Sequence, residues 1–305
     1  MLFSFVWEFF AKAQAPRKRP LISSPDRCDG ANERTRKGTN VSDFEGRIAL
    51  VTGSATGLGR SISVKLAERG ADVIVNYSRS SAEAEEAADL CRTAGAQVKV
   101  VQANVADPAG CRALADAAQE WGRLDILVNN AGITRHARDH SGLDALTKGD
   151  FMDVYEVNVV GPYLMLQATK PLLEAAYEKN GRASTVLNTS SIAGIKGIGS
   201  SVAYAASKGA LNTMTVSLAR ALAPAIRVNA ICPGFIGTRW FKDTMDEQSF
   251  EKTLRRIEAA TPLAAASEPN DIADTALFFL SDASRHVTGE LLLVDAGLHL
   301  GKRST

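Results

Sequence analysis

The sequence predicts a single doubly wound α/β domain, a parallel sheet of seven strands flanked by helices. Three observations carry that prediction. Short apolar runs alternate with helical patterns along residues 45–305. The runs are nearly continuous in apolar residues, as strands buried on both faces must be. The first of them, Ile48-Ala49-Leu50-Val51, leads straight into Thr52-Gly53-Ser54-Ala55-Thr56-Gly57-Leu58-Gly59. A chain of 305 residues has room for two domains, yet the seven strands fit one sheet, and no internal repeat is visible.

The elements follow in order. A strand over 48–52 enters a glycine turn and then a helix over 58–69. Glycine allows positive φ and removes the Cβ that would keep a phosphate away from the backbone. The unpaired N–H groups and positive end of the following helix then face an anion. Gly53, Thr56, Gly57, Leu58 and Gly59 form this candidate cradle; an ordinary tight turn is the alternative. The spacing, Gly-x-x-x-Gly-x-Gly, differs from the commoner Gly-x-Gly-x-x-Gly. Strands over 72–77 and 97–101 alternate with helices over 80–94 and 108–121. A strand over 124–128 runs into Asn129-Asn130-Ala131-Gly132. A long helix over 150–178 holds Asn158, and a strand over 184–188 runs into Thr189-Ser190-Ser191. Further on come a helix over 202–223, a strand over 227–231 ending at Pro233-Gly234, a helix over 270–281 and a strand over 291–294. Right-handed crossovers are the default for such a chain.

Tyr204 and Lys208 lie four residues apart in Tyr204-Ala205-Ala206-Ser207-Lys208, on one face of the 202–223 helix. A phenol of ordinary pKa about 10 is a poor proton donor and acceptor at neutral pH. An ammonium one turn away favours the phenolate and draws that value down. A tyrosine lying along a lysine stem on a solvated helix is the bland alternative. What decides between them is the company: Asn130, Asn158, Ser191, which precedes Tyr204 by 13 residues, and Pro233-Gly234 follow the glycine turn in a fixed order.

In that ordered set the chain resembles the short-chain dehydrogenase/reductase family over residues 45–305, and within it the 3-oxoacyl-(acyl-carrier-protein) reductases. The resemblance implies a Rossmann domain and a site. Tyr204 is the implied general acid and base. Lys208 would lower the tyrosine pKa and bond the nicotinamide ribose. Ser191 would bond the substrate oxygen, and Asn158 would hold a water that relays protons from Lys208. Gly53, Gly57 and Gly59 would line the pyrophosphate. Asn104 and Val105 would flank the adenine, position 104 being Asp in many relatives. Asn130, with Ala131 and Gly132, would support the adenosine side, and Ile236 and Thr238, beyond Pro233 and Gly234, would grip the carboxamide and phosphates. No metal is expected.

Cofactor choice turns on the end of the second strand, Asn76-Tyr77-Ser78-Arg79-Ser80. A carboxylate there would bond the 2′-hydroxyl of NAD, and Tyr77 stands in its place. Ser78 and Arg79 offer a hydroxyl and a cation, and the planar fork of arginine suits phosphate. NADP is therefore expected, with NAD as the alternative because Thr56 stands where many NADP-preferring relatives add a basic residue.

Two segments stand apart. Residues 1–44 carry Pro16, Pro20, Pro25 and Arg17-Lys18-Arg19, and residues 1–42 have a net charge of +4 against −3 for the rest. They are expected to form a disordered extension, with a transit peptide or an interfacial helix as alternatives; the apolar opening is too short to span a bilayer. Residues 235–268 are expected to form a lid over the site. Cys28, Cys91, Cys111 and Cys232 show no pairing motif, which suits a reduced cytoplasmic protein. A formal net charge of +1 with no basic stripe speaks against nucleic acid.

The expected reaction is NADP-dependent interconversion of a carbonyl and a secondary alcohol, on a small-molecule substrate that includes 3-oxoacyl thioesters as a candidate class. A sugar, a small ketone or a steroid-type alcohol is the alternative. An acyl carrier protein partner is weakened by the uncharged link Ala223-Pro224-Ala225-Ile226, although Lys179 and Arg182 offer other cations. From another class, a non-catalytic NADP-binding scaffold is opposed by Asn158, Ser191, Tyr204 and Lys208 together. A homotetramer is implied by the resemblance alone.

Overall fold

Seven parallel strands lie in the order β3-β2-β1-β4-β5-β6-β7 in the computed structural model, which describes residues 43–242 and 246–301. The strands are β1 (Ile48–Val51), β2 (Asp72–Tyr77), β3 (Val98–Gln102), β4 (Ile126–Asn129), β5 (Ser184–Thr189), β6 (Ile226–Pro233) and β7 (Leu291–Val294). The winding reverses between β1 and β4, where Val51 pairs with both Val75 and Val128. In open parallel sheets such a reversal leaves a crevice at the carboxyl ends of the strands, the place where ligands bind.

Strand side chains alternate between two faces, and both faces are covered. Ala49, Val51, Val73, Val75, Ile126, Val128 and Ile231 pack into one core beneath α1 (Gly57–Glu68), α2 (Ser81–Thr93) and α10 (Pro269–Leu280). Ile48, Leu50, Ile74, Leu127, Val186 and Val228 enter the other, beneath α3 (Pro108–Ala117), α5 (Gly161–Asn180) and α7 (Val202–Leu222). Such two-sided burial requires the unbroken apolar strands that the sequence contains.

The helix expected over 150–178 is three segments: α4 (Lys148–Tyr155), a π-helical stretch over Glu156–Val160, and α5. The physical cause sits at Pro162. It has no N–H to donate to the carbonyl of Asn158 four residues earlier, and the Gly161 N–H bonds the Glu156 carbonyl instead. The helix expected over 108–121 likewise ends at Ala117 and gives way to a 3₁₀ turn over Gln119–Trp121. Short helices α6 (Ala193–Lys196) and α8 (Arg239–Lys242), with α9 (Glu247–Ala260), complete the chain.

The extension expected over 1–44 lies outside the described residues except at its end. There Phe44 is fully buried and donates its N–H to the Arg69 carbonyl, so it belongs to the folded unit. Cys28 is likewise outside; Cys91, Cys111 and Cys232 are free and buried. No described helix is long and apolar enough to cross a membrane, and no cluster of metal-ligating side chains occurs among the described residues.

Candidate active site

The glycine turn is held by Asn130 together with Thr52 and Asn76, two residues with no marking signal in the sequence. Thr52 Oγ1 accepts from the Asn130 and Ala131 N–H groups at 2.9 and 3.0 Å. Asn130 Nδ2 donates to the Thr52 and Gly53 carbonyls at 3.0 and 3.1 Å, which ties β1 to the turn after β4. Each glycine has its own reason. Gly53 has φ +61, and a Cβ there would lie 2.9 Å from Ala131 Cα; its N–H is already taken by Asn76 Oδ1 at 3.0 Å. A Cβ at Gly59 would lie 2.5 Å from both Asn130 Nδ2 and the Gly53 carbonyl oxygen. A Cβ on Gly57, φ +57, would meet only the Thr238 side chain, at 3.4 Å. Gly53 and Gly59 thus serve the tightness of the turn, and Gly57 leaves its open side clear.

The N-terminus of α1 fits an anionic dinucleotide. Its first residue follows Thr56, whose side chain makes no capping bond, and its first turn holds no acidic residue. Helix N–H groups left without a side-chain cap beside a glycine face are what a pyrophosphate needs. Leu58 and Val105 are buried in the apolar cores, so only their backbones can meet a cofactor. Asn104 is exposed, and its Oδ1 accepts from the Ala106 N–H at 3.1 Å. Ser78 and Arg79 lie exposed just past the end of β2, and among the described residues no hydrogen bond or ion pair engages the Arg79 guanidinium.

At the other end of the crevice, β5 and α7 meet. Ser201 caps α7 by accepting from the Tyr204 N–H at 3.1 Å, placing Tyr204 in the first helical turn, where the dipole favours a developing phenolate. Lys208 follows one turn on, its Nζ donating to the Thr189 carbonyl at 2.8 Å and lying 5.7 Å from the Tyr204 ring centre. The Ser190 hydroxyl donates to the Lys208 carbonyl at 3.2 Å, and a Cβ on Gly194 would lie 2.5 Å from the Lys208 carbonyl carbon. The helix is thereby locked against the end of β5. Ser191 Oγ accepts from the Ala193 N–H at 3.1 Å, and its hydroxyl acts on the Tyr204 phenol, favouring the ionised form. Thr189 Oγ1, beside them, is buried without a hydrogen-bond partner.

Electrostatics correct one expectation. The i, i+4 spacing predicts that Lys208 draws the phenol down. Burial instead pushes Tyr204 up to about 12, opposed by the Ser191 hydrogen bond. Burial pushes the Lys208 ammonium down to about 8, opposed by neighbouring Cys232. In the protein's own surroundings, desolvation outweighs the attraction between the pair.

The Asn158 side chain is fully engaged within the protein. Its Oδ1 accepts from the Ile133 N–H and its Nδ2 donates to the Ile133 carbonyl, both at 2.9 Å, and Nδ2 also donates to Ser207 Oγ at 3.1 Å. The side chain pins the loop after Gly132, and Pro162, four residues on, has no N–H to offer the Asn158 carbonyl. A Cβ on Gly132 would meet Asn158 Oδ1 at 3.3 Å and Lys208 Nζ at 3.7 Å, so the cradle and the tyrosine share one wall. Pro233 ends β6, and Gly234 passes so near Asp295 that a Cβ would lie 2.8 Å from its Cβ. Ile236 bridges to Ser267. Beyond it Trp240 tilts over Tyr204, with ring centres 6.1 Å apart. The structure therefore gathers Ser191, Tyr204 and Lys208 at one end of the crevice and the glycines at the other.

Known proteins resemble this chain in sequence and in fold. A family model described as enoyl-(acyl carrier protein) reductase matches residues 53–299. The chain is 35% identical to a 3-oxoacyl-[acyl-carrier-protein] reductase of Staphylococcus aureus, covering 83% of this chain and 98% of that one. It is 34% identical to glucose 1-dehydrogenase 2 of Bacillus subtilis, covering 85% and 96%. The solved structure of a Pseudomonas aeruginosa RhlG/NADP active-site complex superposes with a TM-score of 0.76 at 31% identity, covering 86% of this chain and 99% of that one.

Proposed function

We propose a specific reaction for this chain, which belongs to the short-chain dehydrogenase/reductase family and is an oxidoreductase of carbonyl and CH–OH groups that uses a nicotinamide cofactor: it reduces a 3-oxoacyl thioester to the 3-hydroxy product with NADPH. The observation that carries the reading is the buried Ser191 and Lys208 gathered around the Tyr204 ring, with Lys208 Nζ 5.7 Å from its centre and held by the Thr189 carbonyl. A bound reduced nicotinamide supplies the hydride to the carbonyl carbon. Ser191 donates a hydrogen bond to the carbonyl oxygen, where charge develops. Tyr204, held protonated by its burial, gives its proton to that oxygen. Lys208 stabilises the resulting phenolate, and the Asn158 carbonyl, deprived of its helical partner by Pro162, accepts from a water that returns the proton. Residues 45–305 act as one domain, with 235–268 as its lid.

The NADP preference rests on Arg79 and on Tyr77 in place of a carboxylate. Replacing the cation removes a charge-assisted bond worth about 1.5–3 kcal/mol. Arg79→Ala is accordingly expected to raise the Kd for NADPH by about tenfold or more and leave that for NADH within about twofold. Equal weakening toward both cofactors would remove Arg79 from 2′-phosphate recognition.

A pH profile tests the Lys208 role. Lys208 is charged below about 8 and loses its proton above. The kcat/KM for carbonyl reduction should thus be level at lower pH and fall as pH rises through about 8, while alcohol oxidation rises there. A reduction profile flat to pH 10 would contradict the role.

Among substrates, the thioester reading is favoured by the ketoacyl reductase relatives. A sugar is the second reading, since the identity to glucose 1-dehydrogenase 2 is nearly as high. Of the two candidate docking cations for an acyl carrier protein, Lys179 is exposed and Arg182 is already paired with Asp282 at 3.3 Å. We accordingly read the substrate as a small-molecule thioester in a cytoplasmic enzyme. Turnover of an acetoacetyl thioester against a panel of sugars and simple ketones decides between the readings.

A further inference from the structure

Three consecutive residues of the lid reach three separate parts of the crevice. Thr238 lies against Gly57 of the cradle. Trp240 tilts over the Tyr204 ring at 6.1 Å. Between them Arg239 Nη1 forms an ion pair with Glu83 Oε1 at 2.6 Å. Glu83 lies in the first turn of α2, four residues past Arg79 and thus beside the adenosine end. The segment is a strap laid along the groove, its base fixed where Ile236 bridges to Ser267 and the Gly237 N–H donates to the Ser267 carbonyl at 2.9 Å.

We propose that Glu83, outside the residues that touch substrate or cofactor, is a positioning residue that latches this strap through Arg239 and so sets the rate at which the dinucleotide leaves. The proposal rests on the dinucleotide-binding reading above. A ligand held along the groove beneath residues 238–240 cannot leave sideways until the strap lifts. Lifting it breaks the Arg239–Glu83 pair, which joins segments 156 residues apart in sequence. Both groups are partly solvated, with side chains 56% and 30% exposed. Such a pair adds little to global stability, which suits a closure that must open in every catalytic cycle. The arginine also holds the Glu83 carboxyl below the usual carboxylate range, so it is charged at neutral pH.

The experiment preloads the full-length protein with NADPH and, in parallel, NADH, chases with excess oxidised dinucleotide, and follows release by nicotinamide fluorescence. E83Q and R239Q are each expected to release the cofactor about twofold to fivefold faster than wild type, the range an exposed ion pair supports. The exchanged pair E83R/R239E is expected to return release toward the wild-type rate. Hydride transfer in a single turnover of E83Q should be unchanged, which separates latching from damage to the site. Release at the wild-type rate from both single variants overturns the latch while leaving the proposed reaction standing. A wild-type protein that binds neither dinucleotide overturns the proposed reaction, and the latch with it.

Discussion

Tyr204→Phe is expected to lower kcat by about 10²–10⁴-fold, the contribution of a positioned general acid, while the Kd for NADPH stays within about twofold. The reasoning is local. Phenylalanine keeps the ring that packs against Trp240 and the α7 turn that Ser201 caps. Only the phenol hydroxyl, on which Ser191 acts, is lost. In the proposed reaction that hydroxyl meets the reacting oxygen and not the pyrophosphate, so binding and chemistry should separate. Isothermal titration with NADPH and steady-state kinetics with an acetoacetyl thioester measure the two. Full turnover in the variant would remove Tyr204 from the reaction, and loss of binding would recast it as structural.

Gly59→Ala carries the second large effect. The new Cβ would lie 2.5 Å from the Gly53 carbonyl oxygen and 2.9 Å from Ser54 Cα, both backbone, as well as 2.5 Å from Asn130 Nδ2. A flexible side chain could move aside, but the turn and the start of α1 must move together. Overpacking of this kind costs about 1–3 kcal/mol, which at this size lowers Tm by very roughly 2–12 °C. The same shift displaces Asn130 from the Thr52 and Gly53 carbonyls it bonds, so NADPH affinity should fall by more than tenfold even where the fold survives. Calorimetry with and without NADPH separates the effects. An alanine variant with wild-type Tm and affinity would show that the turn has slack.

Much of this was legible in the sequence because it rests on short-range pattern. The seven strands fall within two residues of the runs that predicted them, since a parallel sheet buried on both faces demands unbroken apolar stretches and Gly or Asn marks their ends. Gly53, Gly57 and Gly59 were visible as a group, though not their separate reasons, which depend on Ala131, Thr238 and Asn130 arriving from far along the chain. The π-helical stretch around Asn158 was hidden because apolar periodicity runs on through it; Gly161-Pro162 was the available signal. Thr52 and Asn76, which hold the turn, resemble ordinary strand residues until their partners 78 and 23 residues away are known. The pKa of Tyr204 had the wrong predicted direction because spacing reveals the lysine but not the burial. Contacts such as Arg239 with Glu83 carry no sequence signature.

The most direct measurement uses NADPH deuterated at the transferable position, with an acetoacetyl thioester as acceptor. The account predicts a 3-hydroxy product with deuterium on its carbinol carbon, formed by the wild type and lost in Tyr204→Phe. A 3-hydroxy product without that deuterium, or tight NADPH binding with no reduction of any carbonyl in the panel, would contradict it.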